Sequence, residues 1–129
     1  MSKIILHCDL NCFYASVEML YNPELRNVPM AVAGDIENRH GIILAKNVLA
    51  KAKGVKTGEA IFEAKNKCPN LVIRKADYEN YIYYSKKVKQ LYYEYTDKVE
   101  SFGLDECWLD ITGSIKYILF LKPFITILL

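Results

Sequence analysis

The chain has 129 residues, of which 52% are hydrophobic and 25% charged, and its formal net charge is +2. That length fits one domain, or a domain with a small subdomain, and the hydrophobic share supplies a real core. No internal repeat or low-complexity tract is present. The four cysteines, Cys8, Cys12, Cys68 and Cys107, form neither a CxxC pair nor a zinc-spaced set with histidine. With no secretory signal at the N-terminus, they read as reduced packing thiols in a cytoplasmic protein, and no membrane partner is expected.

The charge is unevenly spread. From Lys46 to Lys75 seven Lys and one Arg stand against two Glu, a local charge of +6, which leaves −4 for the remainder. A basic segment beside an acidic remainder suits a protein that holds polyanion with one part and cations with another. A solvated lysine-rich helical face explains the same pattern equally well.

Residues 3–9 form a short apolar run that reads as a buried strand. Asn11 then caps a helix in which Phe13, Val17 and Leu20 or Tyr21 recur at helical spacing, and Asn22-Pro23 stops it. Met30 to Gly34 and Gly41 to Ala45 read as two strands joined by a polar loop, Asp35 to His40. A helix follows from Lys46 to Lys53, ended by Gly54. A turn to Gly58 leads into a short helix from Glu59 to Lys67, broken at Cys68-Pro69-Asn70. Leu71 to Ile73 is a strand candidate.

From Asp77 to Tyr95 the positions Tyr81, Tyr84, Val88, Leu91, Tyr92 and Tyr95 keep a helical period, which predicts the longest amphipathic helix. A tyrosine stripe at this spacing reads as core packing with wet hydroxyls rather than as a base-stacking surface. Lys98 to Phe102 and Cys107 to Ile111 read as a β-hairpin with Asp105-Glu106 at or just after its turn. Ile115 to Leu129 is almost wholly apolar apart from Lys116 and Lys122, and is broken by Pro123. It is too short for a membrane span; an edge strand, an unrelated tail and a weak membrane contact stay open. The mixture of elements predicts an α+β fold.

Two acidic segments carry the chemistry. Asp9 ends the first strand, and Asp105-Glu106 lies at the hairpin far away in sequence. If the two strands are neighbours, three carboxylates converge on one spot. Such a cluster repels itself unless protons or divalent cations neutralise it. Magnesium takes oxygen ligands, commonly one or two carboxylates together with substrate phosphates. Asp9 and Asp105 are the natural bridging pair, Glu106 completes the set, and the backbone carbonyl of Leu10 is a further candidate ligand. Taken alone, an Asp-Glu pair at a turn is more often a solvated loop. His7 reads as a strand residue and His40 as a loop residue, and Trp108 and Asp110 as structural.

The run Asp9-Leu10-Asn11-Cys12-Phe13-Tyr14-Ala15-Ser16-Val17-Glu18 resembles the opening motif of the Y-family translesion DNA polymerases, the DNA polymerase IV and UmuC-like group. Ser101-Phe102-Gly103-Leu104-Asp105-Glu106-Cys107-Trp108-Leu109-Asp110 resembles their second acidic motif. Between them Ala45-Lys46-Asn47, Ala50-Lys51, Gly54-Val55-Lys56-Thr57-Gly58 and Ala64-Lys65 through Cys68-Pro69 resemble the family's fingers. The similarity is collinear from Ile4 to Ser114.

The resemblance implies a partial polymerase palm, an antiparallel sheet with packed helices, and a small helical fingers subdomain. On that reading residues 1–33 are the first part of the palm, 34–75 the basic fingers, 76–114 the second part of the palm with the acidic hairpin, and 115–129 a divergent apolar tail. It also implies nucleotidyl transfer past damaged bases in DNA repair, by two-metal catalysis. Asp9, Asp105 and Glu106 would hold two Mg2+ ions. Tyr14 would be the aromatic gate against a ribose 2′-hydroxyl, Phe13 would line the same pocket, and Lys51 would meet the incoming triphosphate. The implied partners are primer–template DNA and deoxynucleoside triphosphates, with a sliding clamp in full-length relatives.

The chain departs from the pattern in places. Asn11 stands where many relatives have a second Asp, Ala45 and Val48 where many have Thr and Tyr, and Lys51 where a basic residue is commonly Arg. After Ser114 the pattern is expected to stop, which marks the chain as a truncated piece of such an enzyme. The alternative reading is a non-catalytic remnant or an interaction fragment of such a polymerase.

Overall fold

The computed structural model describes residues 2–34, 36, 37 and 41–120. His40, most of the polar loop after Gly34 and residues 121–129 of the apolar tail lie outside the described residues. In chain order the elements are β1 (Ile5–Asp9), α1 (Phe13–Tyr21), a 3-10 turn (Pro23–Asn27), β2 (Met30–Ala33), β3 (Ile43–Lys46), α2 (Val48–Ala52), α3 (Ile61–Lys67), β4 (Val72–Lys75), α4 (Tyr78–Tyr93), β5 (Val99–Phe102), β6 (Glu106–Asp110) and α5 (Ile115–Phe120). The fold is α+β, as the alternation of patterns predicts. The described residues within 11–81 form one compact unit; those up to Leu10 and from Ile82 onward form the other.

The second of these units holds an antiparallel sheet in the order β1-β6-β5. Its core is Cys107, Leu109 and Ile111, joined by Ile4, Cys8, Tyr92, Val99, Ile115 and Ile118. Alternation along β6 explains this: Cys107 and Leu109 point inward while Trp108 points out. Burying side chains such as Leu109 and Ile111 contributes about 1.5–3 kcal/mol each. The apolar segment after Ser114 begins as helix α5 rather than as an edge strand. Ile115 and Ile118, three residues apart, fall on one helical face and pack on that core. Among the described residues no helix is long and apolar enough to cross a membrane.

The unit formed by residues 11–81 has the mixed order β3-β2-β4, with β3 antiparallel and β4 parallel to β2. All four residues of β2 are buried, as suits a central strand covered on both faces. Helix α1 packs against β2 and β3. The core cluster is Ala31, Ala33, Ile43, Ala50, Val55, Ala64, Cys68 and Leu71.

Several local expectations need correction. The run 3–9 is not a buried strand: in β1 every residue but the half-buried Cys8 is exposed, and Ile5, His7 and Asp9 alternate onto the face that carries Trp108, away from the core. Asn11 does not cap α1: Cys12 is the N-cap, in a left-handed conformation (φ 52°) and without a side-chain cap bond, while the Asn11 carbonyl accepts from Ser16 Oγ at 3.2 Å. Lys46 is not helical. It ends β3, because Asn47 breaks the strand and caps α2 by accepting the Ala50 N–H through its side chain at 3.0 Å. Strand β4 runs to Lys75, two residues further than its apolar stretch, because its backbone pairs in parallel with β2.

Gly54 ends α2 as expected, at φ 88°. Its N–H donates to the Lys51 carbonyl at 3.0 Å and the Val55 N–H to the Ala50 carbonyl at 3.2 Å, so the orphan carbonyls of the helix end are used.

Asn47 is the most heavily bonded side chain among the described residues of this unit. It is buried, and its Oδ1 also accepts the Met30 N–H at 3.1 Å. Its Nδ2 donates to the carbonyls of Leu25 at 3.2 Å and Val28 at 2.8 Å. One amide thus joins the helix cap, strand β2 and the 3-10 turn.

Candidate metal centre

Strands β1 and β6 are antiparallel neighbours, with Asp9 opposite Glu106, His7 opposite Trp108 and Cys8 opposite Cys107. The Leu10 N–H donates to the Asp105 carbonyl at 2.9 Å and the Ile111 N–H to the Ile4 carbonyl at 2.9 Å. Pairs 10/105 and 4/111 are therefore hydrogen-bonded. Asp9/Glu106 and His7/Trp108 fall on the alternate, non-bonded positions, where facing side chains approach most closely. That register is what brings the acids together.

Asp105 sits in the turn between β5 and β6, and Glu106 is the first residue of β6. Gly103 enters that turn at φ 71°, a conformation costly for any residue with a Cβ. Helix α4 then holds the turn by its carbonyls: Lys89 Nζ donates to Gly103 at 2.8 Å, and the buried Ser85 hydroxyl donates to Leu104.

Asp9, Asp105 and Glu106 each offer a carboxylate oxygen, and these lie within 4.8 Å of one another. Burial pushes the Asp105 carboxyl above its usual range, and the charges of Asp9 and Glu106 add to the rise; Lys89 opposes it. Three crowded carboxylates form an all-oxygen donor set, which fits a hard divalent cation such as Mg2+. The Leu10 backbone is tied to the acidic turn through its N–H.

Beneath the acids, on the core side of the sheet, Tyr92 bonds Cys8. Burial pushes the Tyr92 hydroxyl up to about 12, helped by Cys8, Cys107 and Asp9. Burial also raises the Cys8 thiol. Cys68 and Cys107 are buried free thiols.

Phe13 and Tyr14 belong to an aromatic cluster on α1 and the start of α4. Tyr14 stacks on Tyr81 with centroids 4.3 Å apart and planes 10° from parallel, and meets Tyr78 edge-on at 5.9 Å. Phe13 meets the edge of Tyr81 at 6.4 Å. Tyr81 is wholly buried, and its hydroxyl donates to Glu18 Oε1 at 2.9 Å. Burial, and the neighbouring Glu18, hold the Tyr81 hydroxyl far above its ordinary pKa. Arg74 Nε lies 3.9 Å from the other Glu18 oxygen. Glu18 and Tyr81 therefore act on Tyr14 indirectly, as a buried support. Lys51 is exposed in the last turn of α2. Lys46, by contrast, donates to Thr57 Oγ1 at 3.1 Å.

Two side chains had no functional reading in the sequence. His7 lies against Glu106, Nε2 to Oε2 3.3 Å, and stacks on Trp108. Its place two residues before Asp9 on a period-2 strand was the available signal.

Residues 8–119 match the impB/mucB/samB family. The chain belongs to that family.

Among its impB/mucB/samB-type relatives is a DNA polymerase IV of Acetivibrio thermocellus, 64% identical over 114 residues, a span that is 88% of this chain and 29% of the relative. A DNA polymerase IV of Bacillus velezensis is 46% identical over 112 residues, 87% of this chain and 27% of the relative. The chain thus spans less than a third of the length of these curated relatives. Of the solved structures, DinB from Sulfolobus solfataricus superposes with a TM-score of 0.81 at 27% identity, over 87% of this chain and 33% of that one. An insertion ternary complex of Dbh DNA polymerase gives 0.80 at 26% identity, with the same shares covered. These neighbours agree with the Y-family resemblance of the two acidic motifs. The family match continues past Ser114 to residue 119, through most of α5.

Proposed function

We propose that this chain carries the metal-binding palm and the fingers of a template-directed DNA polymerase of the Y-family, acting on damaged templates in the cytoplasm. The observation that carries the reading is the convergence of Asp9, Asp105 and Glu106 within 4.8 Å, on the two motifs that resemble the family's. The reaction is attack of a primer 3′-hydroxyl on the α-phosphate of a deoxynucleoside triphosphate, with release of pyrophosphate. Asp9, Asp105 and Glu106 hold two Mg2+ ions, with the Leu10 carbonyl as a further ligand. When bound, such ions neutralise developing charge on the attacking and leaving oxygens.

The chain's own residues supply selection and grip. Tyr14 crowds the sugar, and its stacking on Tyr81 fixes the ring so that a 2′-hydroxyl meets a rigid wall. Phe13 lines the same pocket. Lys51 offers the triphosphate a mobile point charge rather than the fork an arginine would give. Residues 34–75 serve as the basic fingers, and their charge favours the DNA backbone. Primer–template DNA is the macromolecular partner, joined by a sliding clamp in full-length relatives.

Primer extension with Mg2+ and deoxynucleoside triphosphates tests the assignment. Extension by the wild-type chain is expected to be weak and non-processive, and absent in the Asp105→Ala/Glu106→Ala variant. Extension that survives this double substitution contradicts the assignment. For Tyr14→Ala, competition binding of ribo- against deoxyribonucleoside triphosphate is expected to show discrimination reduced by about tenfold. An unchanged ratio removes Tyr14 from the gate role.

A further inference from the structure

We propose that His7 is a positioning residue for Glu106, holding one oxygen of its carboxylate so that the group meets a divalent cation in a fixed orientation. The inference rests on the metal-site reading above and adds a member to it.

The register explains the contact. His7, Asp9, Glu106 and Trp108 share one face of the β1/β6 pair, with His7 directly opposite Trp108 and Asp9 opposite Glu106. At such a non-bonded pair the rings lie close, and they stack with centroids 4.2 Å apart at 19°. The indole thereby sets the plane of the imidazole. Its Nε2 then reaches the diagonal neighbour, Glu106 Oε2, at 3.3 Å. A carboxylate that holds a cation only accepts hydrogen bonds, so the imidazole tautomer that serves Glu106 there is the one with its proton on Nε2.

Glu106 is the member of the set that needs such support. Asp9 and Asp105 are short, and Asp105 lies in a turn that α4 holds through its carbonyls. Glu106 has one more rotatable bond and stands partly in solvent. Partners that orient ligand carboxylates in this way commonly change metal affinity by about 10–100-fold when removed. The His7 side chain is 40% exposed, which argues for the lower end.

The test is titration of the full chain with Mn2+, the free ion being followed by electron paramagnetic resonance, with thermal melts as a folding check. His7→Phe keeps a ring against Trp108 and removes the donor; it is expected to weaken Mn2+ binding about tenfold. His7→Gln restores an N–H donor and is expected to stay within about twofold of wild type. Trp108→Leu leaves the imidazole without the ring that sets its plane, and about threefold weaker binding is expected; this variant also serves if His7→Phe does not fold. Wild-type affinity in the Phe and Leu variants, or a Gln variant as weak as Phe, overturns the inference alone. A wild-type chain that takes up no Mn2+ overturns the metal-site reading itself, and this inference with it.

Discussion

Asp105→Asn raises the melting temperature of the cation-free protein and removes the gain that Mg2+ or Mn2+ gives the wild type. Asp105 is partly buried, with the carboxylates of Asp9 and Glu106 beside it, and both circumstances disfavour its charged form. An amide of the same shape carries no charge to repel. Screening by solvent limits the gain to about 0.5–1 kcal/mol, which is about 2–6 °C for a domain of this size. The sign is the informative part. A folded-state carboxyl whose pKa is raised favours the protonated form, so the cluster destabilises the fold at neutral pH and the penalty fades as pH falls. A cation at a hundred times its dissociation constant adds about 2.7 kcal/mol to the wild type, and Asp105→Asn loses that response. Melting curves with and without 10 mM-scale cation on both proteins decide it. A variant that melts lower than wild type without cation, or keeps the full cation response, contradicts the account.

Asn47→Ala carries the largest expected loss of stability. The substitution deletes the cap of α2, at about 0.5–2 kcal/mol. It also strands the buried Met30 N–H and the carbonyls of Leu25 and Val28, which the Asn47 amide serves at 3.1, 3.2 and 2.8 Å. Each unsatisfied buried group costs about 1–3 kcal/mol before local relaxation. A net loss on the order of 3–5 kcal/mol follows, a large share of the roughly 5–15 kcal/mol that holds a typical domain folded. Asn47→Asp tests the donor side separately: it keeps an acceptor for Met30 and Ala50 but turns a negative oxygen toward two carbonyls. It is expected to destabilise strongly as well. Urea unfolding of both variants measures this; a loss under about 1 kcal/mol for either would show that the amide is not the junction described.

The parts of the structure that were legible in the sequence are those governed by local pattern. The runs Lys98 to Phe102 and Cys107 to Ile111 marked the hairpin, and strands are found there at Val99–Phe102 and Glu106–Asp110. Asp9 stood out as a carboxylate ending an apolar strand. Convergence of the acids needed a single long-range fact, the pairing of β1 with β6, and the two motifs supplied it only as a resemblance. What was not legible depends on contacts between distant segments. Asn47 falls inside the predicted helix from Lys46 to Lys53, and its bonds to Met30, Leu25 and Val28 exist only once β2 and the 3-10 turn are in place. The parallel pairing of β2 with β4 carried Lys75 into a strand where composition suggested an exit. Cys12 took the cap position from Asn11 by adopting a left-handed backbone that no cysteine pattern signals. His7 looked like one more strand residue because its partner, Glu106, lies 99 positions away.

The support of Tyr14 shows the same division. A tyrosine stripe along α4 was readable as core packing, and Tyr81 is indeed buried. The sequence held no sign that its hydroxyl would find Glu18 or that its ring would stack on Tyr14.

The measurement that bears most directly on the central claim is equilibrium dialysis of the wild-type chain and the Asp105→Ala/Glu106→Ala variant against Mg2+. The account predicts retained Mg2+ in the wild type and none above background in the variant. Equal retention by the two proteins, or none by either, would contradict a cation site built from Asp9, Asp105 and Glu106.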